Sequence, residues 1–447
     1  MPMKLRSGSL RFLRVVALCG LLTSPALAQD QHVDRARELL QLFLNGKYEE
    51  FVAAGDDKVK GGFRPEQARQ IAEQLTQQLG SYQSEKSARP RLVEGLHTVA
   101  FELAYERGIL KMDVVVDDQG RLAGFWIRGI EANQPYEPPA YVDRNAFREE
   151  KVAVVTGSIE LPATLSLPVT RAKHPGLVLV HGSGPHDEDE SVLANKPFRD
   201  LAWGLASRGV AVLRYQKRTH KYGATMKPDE VTLDIETIDD AVSAARLLRQ
   251  REDLDPKRVY VLGHSLGGMA APYIAEKDPE LAGLIILAGN ARSLLEVVPE
   301  QIEYIANLDG QISDEEQQQL DQARQAAAAI RDNKLDDLKQ PLLGAPTAYW
   351  LDLHRRDPAA KAATLKCPIL IIQGGRDYQV NMKCFERWRS ALKDRGNVTF
   401  KRYEKLNHLM VAGDGPSRPE EYATPGHVDE PVVRDIARWI QSAGKPE

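Results

Sequence analysis

The chain has 447 residues, 43% of them apolar and 27% charged, with a net charge of −4. It is too long for one typical domain and holds ample material for a large core. The mildly acidic balance argues against nucleic acid or an anionic membrane surface as a partner.

The N-terminus reads as a targeting segment. Lys4, Arg6, Arg11 and Arg14 form a basic region without acids, and an apolar run follows from Val15 to Leu22. Pro25-Ala26-Leu27-Ala28 then supplies a small-x-small cleavage site before Gln29. This is the pattern of a secretory signal peptide over residues 1–28, and its apolar run is too short to span a bilayer comfortably. A lipoprotein reading of Cys19 is disfavoured because Leu18 before it is not small. Losing four basic residues takes the net charge from −4 to −8. The mature protein is expected to be exported, periplasmic or secreted, with no stable membrane insertion. It retains Cys367 and Cys384. One precedes a strand and the other lies in a helix beyond that strand's far end, so at about 3.3 Å per residue the two are too far apart for a disulfide. Two buried thiols are expected.

Residues 31–132 read as a small α+β domain. Val33–Phe43 and Pro65–Leu79 have helical apolar spacing, and Thr98–Tyr105, Ile109–Val116 and Leu122–Ile127 read as strands, with Asp117–Gly120 as a turn. Residues 133–147, with Pro135, Pro138 and Pro139, read as a stiff linker. From 148 to 447 the pattern changes. After two early strands, Lys151–Thr156 and Ala163–Pro168, short continuous apolar runs alternate with helices: Leu177–Val180, Val210–Leu213, Val259–Leu262, Leu284–Leu287 and Ile369–Ile372. Such runs predict a doubly wound, mostly parallel sheet buried on both faces. Residues 291–362 interrupt the alternation with charged, alanine-rich helical sequence and are expected to form a helical cap. A last helix is expected over Pro431–Gln441.

The chemistry centres on Gly263-His264-Ser265-Leu266-Gly267, which follows a buried strand and opens a helix. That context makes a nucleophile elbow of an otherwise cheap motif. The small neighbours permit a sharp turn, and the helix N-terminus favours developing negative charge. A serine nucleophile needs a base and an orienting acid. Gly374-Gly375-Arg376-Asp377 places an aspartate just past a strand end. The strand from Phe400 is read as ending in a histidine, His408, after Asn407. His427 is the rival base but sits between turn residues, and Asp414 is a rival acid in the wrong chain order. The oxyanion donors are expected to be the N–H of Leu266 and that of Ser183 in His181-Gly182-Ser183-Gly184-Pro185, with Gly184 the alternative. His264 is expected to be structural. His186–Glu190 reads as a solvated acidic loop near the site mouth, since metal-ligand spacing is absent. Lys217-Arg218-Thr219-His220-Lys221 is open between contact with an acidic substrate, pairing with that loop, and plain surface charge. Tyr349, Trp350 and Leu351 are candidate pocket-lining residues of the cap.

From about 148 onward these motifs, in order and spacing, resemble the bacterial α/β-hydrolase family of esterases and dienelactone-hydrolase-like enzymes. The resemblance implies an α/β-hydrolase fold and hydrolysis of small-molecule carboxylic esters, with short to medium acyl chains, and no cofactor or metal. It implies Ser265, Asp377 and His408 as the triad. The small domain resembles one found ahead of bacterial hydrolase domains, with the cone-shaped fold of nuclear transport factors. A serine peptidase of the same fold is the rival activity, though no propeller repeat precedes the domain. A non-catalytic binding protein on this fold is the rival of another class, but such proteins usually lack a triad member.

Overall fold

The computed structural model describes residues 25–442 apart from 94, 132–134, 224, 336–337 and 339–341. Most of the expected signal segment, residues 1–24, lies outside the described residues. The described part of the first helix runs from Pro25, so it includes the expected cleavage site.

The small domain opens with α1 (Pro25–Leu44), α2 (Tyr48–Ala53), α3 (Asp57–Gly62) and α4 (Pro65–Leu79). Strands β1 (Tyr82–Val93), β2 (Leu96–Tyr105), β3 (Ile109–Val116) and β4 (Leu122–Glu131) form a sheet in that order. Phe43, Phe51 and Phe63 converge on Phe125 with ring centroids 5.1, 5.5 and 5.8 Å from it. Sequence periodicity misses β1 because it is an edge strand, largely polar and carrying Pro90. An edge is where a sheet tolerates proline. It also misses α2 and α3, which at six residues each are too short to show a helical period.

The large domain holds β5 (Phe147–Thr156), β6 (Ile159–Pro168), β7 (His174–Val180), α5 (Pro197–Ala206), β8 (Ala211–Tyr215), α6 (Arg218–Tyr222), α7 (Asp239–Arg249), β9 (Leu254–His264), α8 (Leu266–Lys277) and β10 (Gly283–Leu287). The insertion follows as α9 (Leu294–Ala306), α10 (Asp314–Arg331), α11 (Thr347–His354) and α12 (Pro358–Thr364). Then come β11 (Ile369–Gly374), α13 (Met382–Leu392), β12 (Val398–Tyr403) and α14 (Glu430–Ser442). The eight strands are ordered β12-β11-β10-β9-β7-β8-β6-β5. The six from β12 to β8 are parallel, and β6 and β5 continue antiparallel.

Each central strand divides its side chains between two cores. Leu177, Leu179, Tyr260, Leu262, Leu370 and Ile372 pack toward α5 and α14. Val178, Val180, Val259, Val261, Ile369 and Ile371 pack on the opposite face with α7, α8 and α13. This two-sided burial is why the strands are apolar without alternation. The chain leaves β7 toward β8 on one side and returns to β9 on the other. Ligands of such sheets bind at that reversal, beyond the strands' carboxyl ends. The loops beginning at His181 and Ser265 flank it.

Trp388 of α13 is fully buried and donates its indole N–H to Gly289 O at 2.8 Å. It therefore braces the turn after β10 as well as filling the core. Trp388→Ala is expected to lower the stability of this domain by about 3–5 kcal/mol, measured as a shift in the urea unfolding midpoint.

Candidate active site

Ser265 caps β9 and precedes α8 with φ 54° and ψ −114°. A serine in that region is strained, and the surroundings explain why it persists. Its N–H donates to Leu287 O at 3.0 Å, and its carbonyl accepts from Met269 N at 3.1 Å. A Cβ on Gly263 would run into the Gly267 backbone, and one on Gly267 into Val180 O. Small residues are thus required on both sides of the serine. Of the seven described non-glycine residues with positive φ, five (Glu190, Leu193, Ser265, Ala288 and Met410) lie in loops beyond carboxyl ends of the parallel strands. Strain of this kind collects at functional sites.

Asp377 and His408 meet. His408 Nδ1 donates to Asp377 Oδ2 at 2.8 Å, and both residues are buried. The carboxylate is saturated: Oδ1 accepts the N–H groups of Gln379 and Val380 at 2.9 Å each, and Oδ2 also accepts Gln373 Nε2 at 3.0 Å. With Nδ1 as donor, the neutral imidazole presents an unprotonated Nε2. The turns carrying the pair are tied together, since Gly375 N donates to Tyr403 O at 2.8 Å and Arg376 N to Leu406 O at 3.0 Å. Asn407 Oδ1 accepts the N–H groups of Leu409 and Val411, which shapes the turn around His408. The histidine does not end its strand as the sequence suggested. β12 stops at Tyr403, and His408 stands five residues on in this turn. The His408 ring packs on that of His264, centroids 4.6 Å apart, directly before Ser265 in the chain.

A model of the alpha/beta hydrolase family matches residues 177–424. This chain belongs to that family. A second family model, for a protein of unknown function, matches residues 36–125. The hydrolase is 42% identical over 347 residues to Esterase EstD of Thermotoga maritima, covering 76% of this chain and 78% of that protein. Among solved structures it is similar to a hyperthermophilic esterase from the archaeon Pyrobaculum calidifontis, at 18% identity and a TM-score of 0.43, over 66% of this chain and 85% of that one. It is also similar to an acylaminoacyl peptidase of Pyrococcus horikoshii, at 15% identity and a TM-score of 0.47, over 82% of this chain and 57% of that one.

The hydrolase's site rests on buried ions that the sequence did not reveal. Asp189 and Glu190 are buried, so residues 186–190 are not a solvated loop. Asp189 pairs with buried Arg214 and with Arg199. Glu190 Oε1 accepts Gly182 N–H at 2.5 Å, and Oε2 lies 2.9 Å from His264 Nδ1. His264 Nε2 faces His408 O at 3.0 Å, so His264 joins the Ser265 elbow, the base turn and Glu190. Burial opposes the charge on Glu190, but the adjacent His264 outweighs it and holds the carboxyl down to about 2. Burial also disfavours the His264 cation, yet Glu190 raises its pKa. Lys217 is not surface charge either. It is buried against Gly182 O and Glu236, while Arg218 pairs with Asp240.

The remaining candidates separate cleanly. Leu266 begins α8, so its N–H has no intrahelical acceptor. Gly182 N–H is occupied by Glu190, and Ser183 follows on an exposed part of the loop. His427 lies 3.2 Å from Asp200 and is absorbed there, and Asp414 is exposed and paired with Lys405. Trp350 is a core residue with its indole on Leu342 O, and Tyr349 bonds Glu236, so neither is a free pocket wall. Leu351 packs half-buried against the same core. Cys384 is buried beside Asn290, whereas Cys367 is only half-buried, and both are free thiols. Among the described residues no cluster of three or more His, Cys, Asp or Glu could hold a metal ion, and no helix is long and apolar enough to cross a membrane.

His181 supplies a pH test. Burial lowers its pKa to about 3, below the ordinary value near 6.5. Below pH 6.5 the unfolded chain takes up a proton that the folded one refuses, so stability falls as pH drops toward 3, by up to about 1.4 kcal/mol per pH unit. His181→Gln, which can keep the bond to Asp187 O, is expected to flatten the urea midpoint against pH between 6.5 and 4. An unchanged slope would refute the assignment.

Proposed function

We propose that the protein hydrolyses carboxylic esters through an acyl-enzyme on Ser265, and that it takes short to medium acyl chains. The observation that carries the reading is a buried His408–Asp377 pair whose histidine ring packs on His264, the residue before a strained serine at a strand-to-helix elbow. The 42% identity to a relative named as an esterase supports it.

In this mechanism His408 Nε2 accepts the Ser265 proton as Oγ bonds to the ester carbonyl carbon. The carbonyl π pair moves onto oxygen, which the N–H groups of Leu266 and Ser183 receive. Asp377 holds the tautomer that leaves Nε2 free and stabilises the imidazolium. His408 then returns the proton to the departing alcohol, and water repeats the sequence to release the acid. Helices α9 to α12 stand between β10 and β11 in the chain and would set acyl and alcohol size. The basic, apolar and small-x-small succession before Gln29 supports export with cleavage after Ala28.

Ser265→Ala is expected to lower p-nitrophenyl acetate turnover by about four orders of magnitude or more, with an unchanged circular dichroism spectrum. Retained activity would remove Ser265 from the mechanism. Parallel assays on p-nitrophenyl esters of rising chain length and on an aminoacyl p-nitroanilide are expected to show faster turnover of short esters than of the amide. Mass spectrometry of the exported protein is expected to find Gln29 at the N-terminus.

A further inference from the structure

A chain of buried polar groups runs from the helical insertion to the loop after β7. Tyr349 Oη, on α11, donates to Glu236 Oε2 at 2.5 Å. Glu236 is buried in a five-residue π-helical turn, Asp234–Ile238, and its Oε1 lies 2.7 Å from Lys217 Nζ. Lys217 is itself only 1% exposed, and Nζ donates to Gly182 O at 2.7 Å. Burying a lysine is costly even when it is paired. Its second partner is a backbone carbonyl of the loop beside Ser265.

That carbonyl belongs to the Gly182–Ser183 peptide. No described peptide bond is cis, and a trans peptide directs C=O and N–H oppositely. With Gly182 O turned to Lys217, the Ser183 N–H faces away from the buried ammonium. Glu190 fixes the same residue from its other end by accepting Gly182 N–H. A Cβ built on Gly182 would lie 3.1 Å from Ser265 Cβ, so the clamped unit borders the nucleophile. A cation on the carbonyl also polarises the peptide and makes the opposite N–H a stronger donor.

We propose that Lys217, supported by Glu236 and Tyr349, is a positioning residue that orients and polarises the Gly182–Ser183 peptide so that the Ser183 N–H receives the oxyanion. The inference rests on the acyl-enzyme reading of Ser265. It gives the buried Lys217–Glu236 pair a task at the site.

Lys217→Met keeps an unbranched side chain as far as the ε position and removes the ammonium. In the full-length protein, kcat and kcat/KM for p-nitrophenyl acetate are expected to fall equally, by about 10- to 100-fold. Affinity for a trifluoromethyl ketone should weaken by the same factor. In that adduct Ser265 Oγ bonds the carbonyl carbon, the π pair becomes an oxyanion and the proton passes to His408. Affinity for an ether isostere with no carbonyl should stay within about twofold, because it makes no oxyanion. Lys217→Met/Glu236→Gln leaves no buried charge unpaired at 236, and it decides the matter if the single variant does not fold. It is expected to show the same loss. Wild-type kcat in either folded variant, or equal weakening of both ligands, overturns the role of Lys217. Fluorophosphonate labelling separates the two levels. A wild-type protein that takes no label at Ser265 overturns the acyl-enzyme reading and this inference together. Normal labelling with wild-type kcat in the variant overturns the inference alone.

Discussion

The structure turns on one steric constraint, the close crossing of backbones where β9 becomes α8. Gly263 and Gly267 meet across the turn, Gly267 lies against the carbonyl of Val180, and Gly268 comes within 2.6 Å of Gly289 Cα if a Cβ is added. Side chains there would push the helix off the sheet. Because the backbones can touch, the helix N-terminus sits directly above the strand ends and Ser265 is forced into its positive-φ conformation. The strained residue costs of the order of 1–3 kcal/mol, which the two large cores on either side of the sheet can offset.

Around that crossing, loops from separate strands are cross-linked by polar and charged contacts as well as by packing. His264 reaches the base turn through His408 O and the loop after β7 through Glu190. Arg376 pairs with Glu421, which also accepts from Asn407 beside the histidine. Such networks are stable when every member is satisfied and fragile when one is removed. Buried ions of this kind usually serve geometry more than stability, which fits their concentration at the carboxyl edge of the sheet.

What could be read from the sequence was whatever is encoded locally. Gly-x-Ser-x-Gly between an apolar strand and a helix, an aspartate after Ile369–Gly374 and a histidine after Val398–Tyr403 are contiguous signals, and the pairing of Asp377 with His408 follows from strand order. Lys217, Asp189, Glu190 and Glu236 were not legible in this way. Charged residues are normally solvent-facing, and their partners here lie up to 113 residues away, as with Tyr349 and Glu236. Strand β1 was hidden for the converse reason, because an edge strand with polar side chains carries no apolar period.

The proline-containing segment ahead of β5 has a consequence for how this protein can be divided. Tyr136 Oη donates to Asp200 at 2.5 Å, and Tyr141 Oη donates to Val428 O at 2.8 Å. The Tyr141 ring also fills the space that a side chain at Gly204 would take. Asp200 in turn receives Val428 N–H. What composition marks as a spacer is therefore a seam that fastens α5 to the chain just before α14. A catalytic fragment trimmed back to residue 148 would lose that fastening and leave Gly204 covered by Val433 but no longer by Tyr141, whereas one that retains Tyr136 keeps the seam closed.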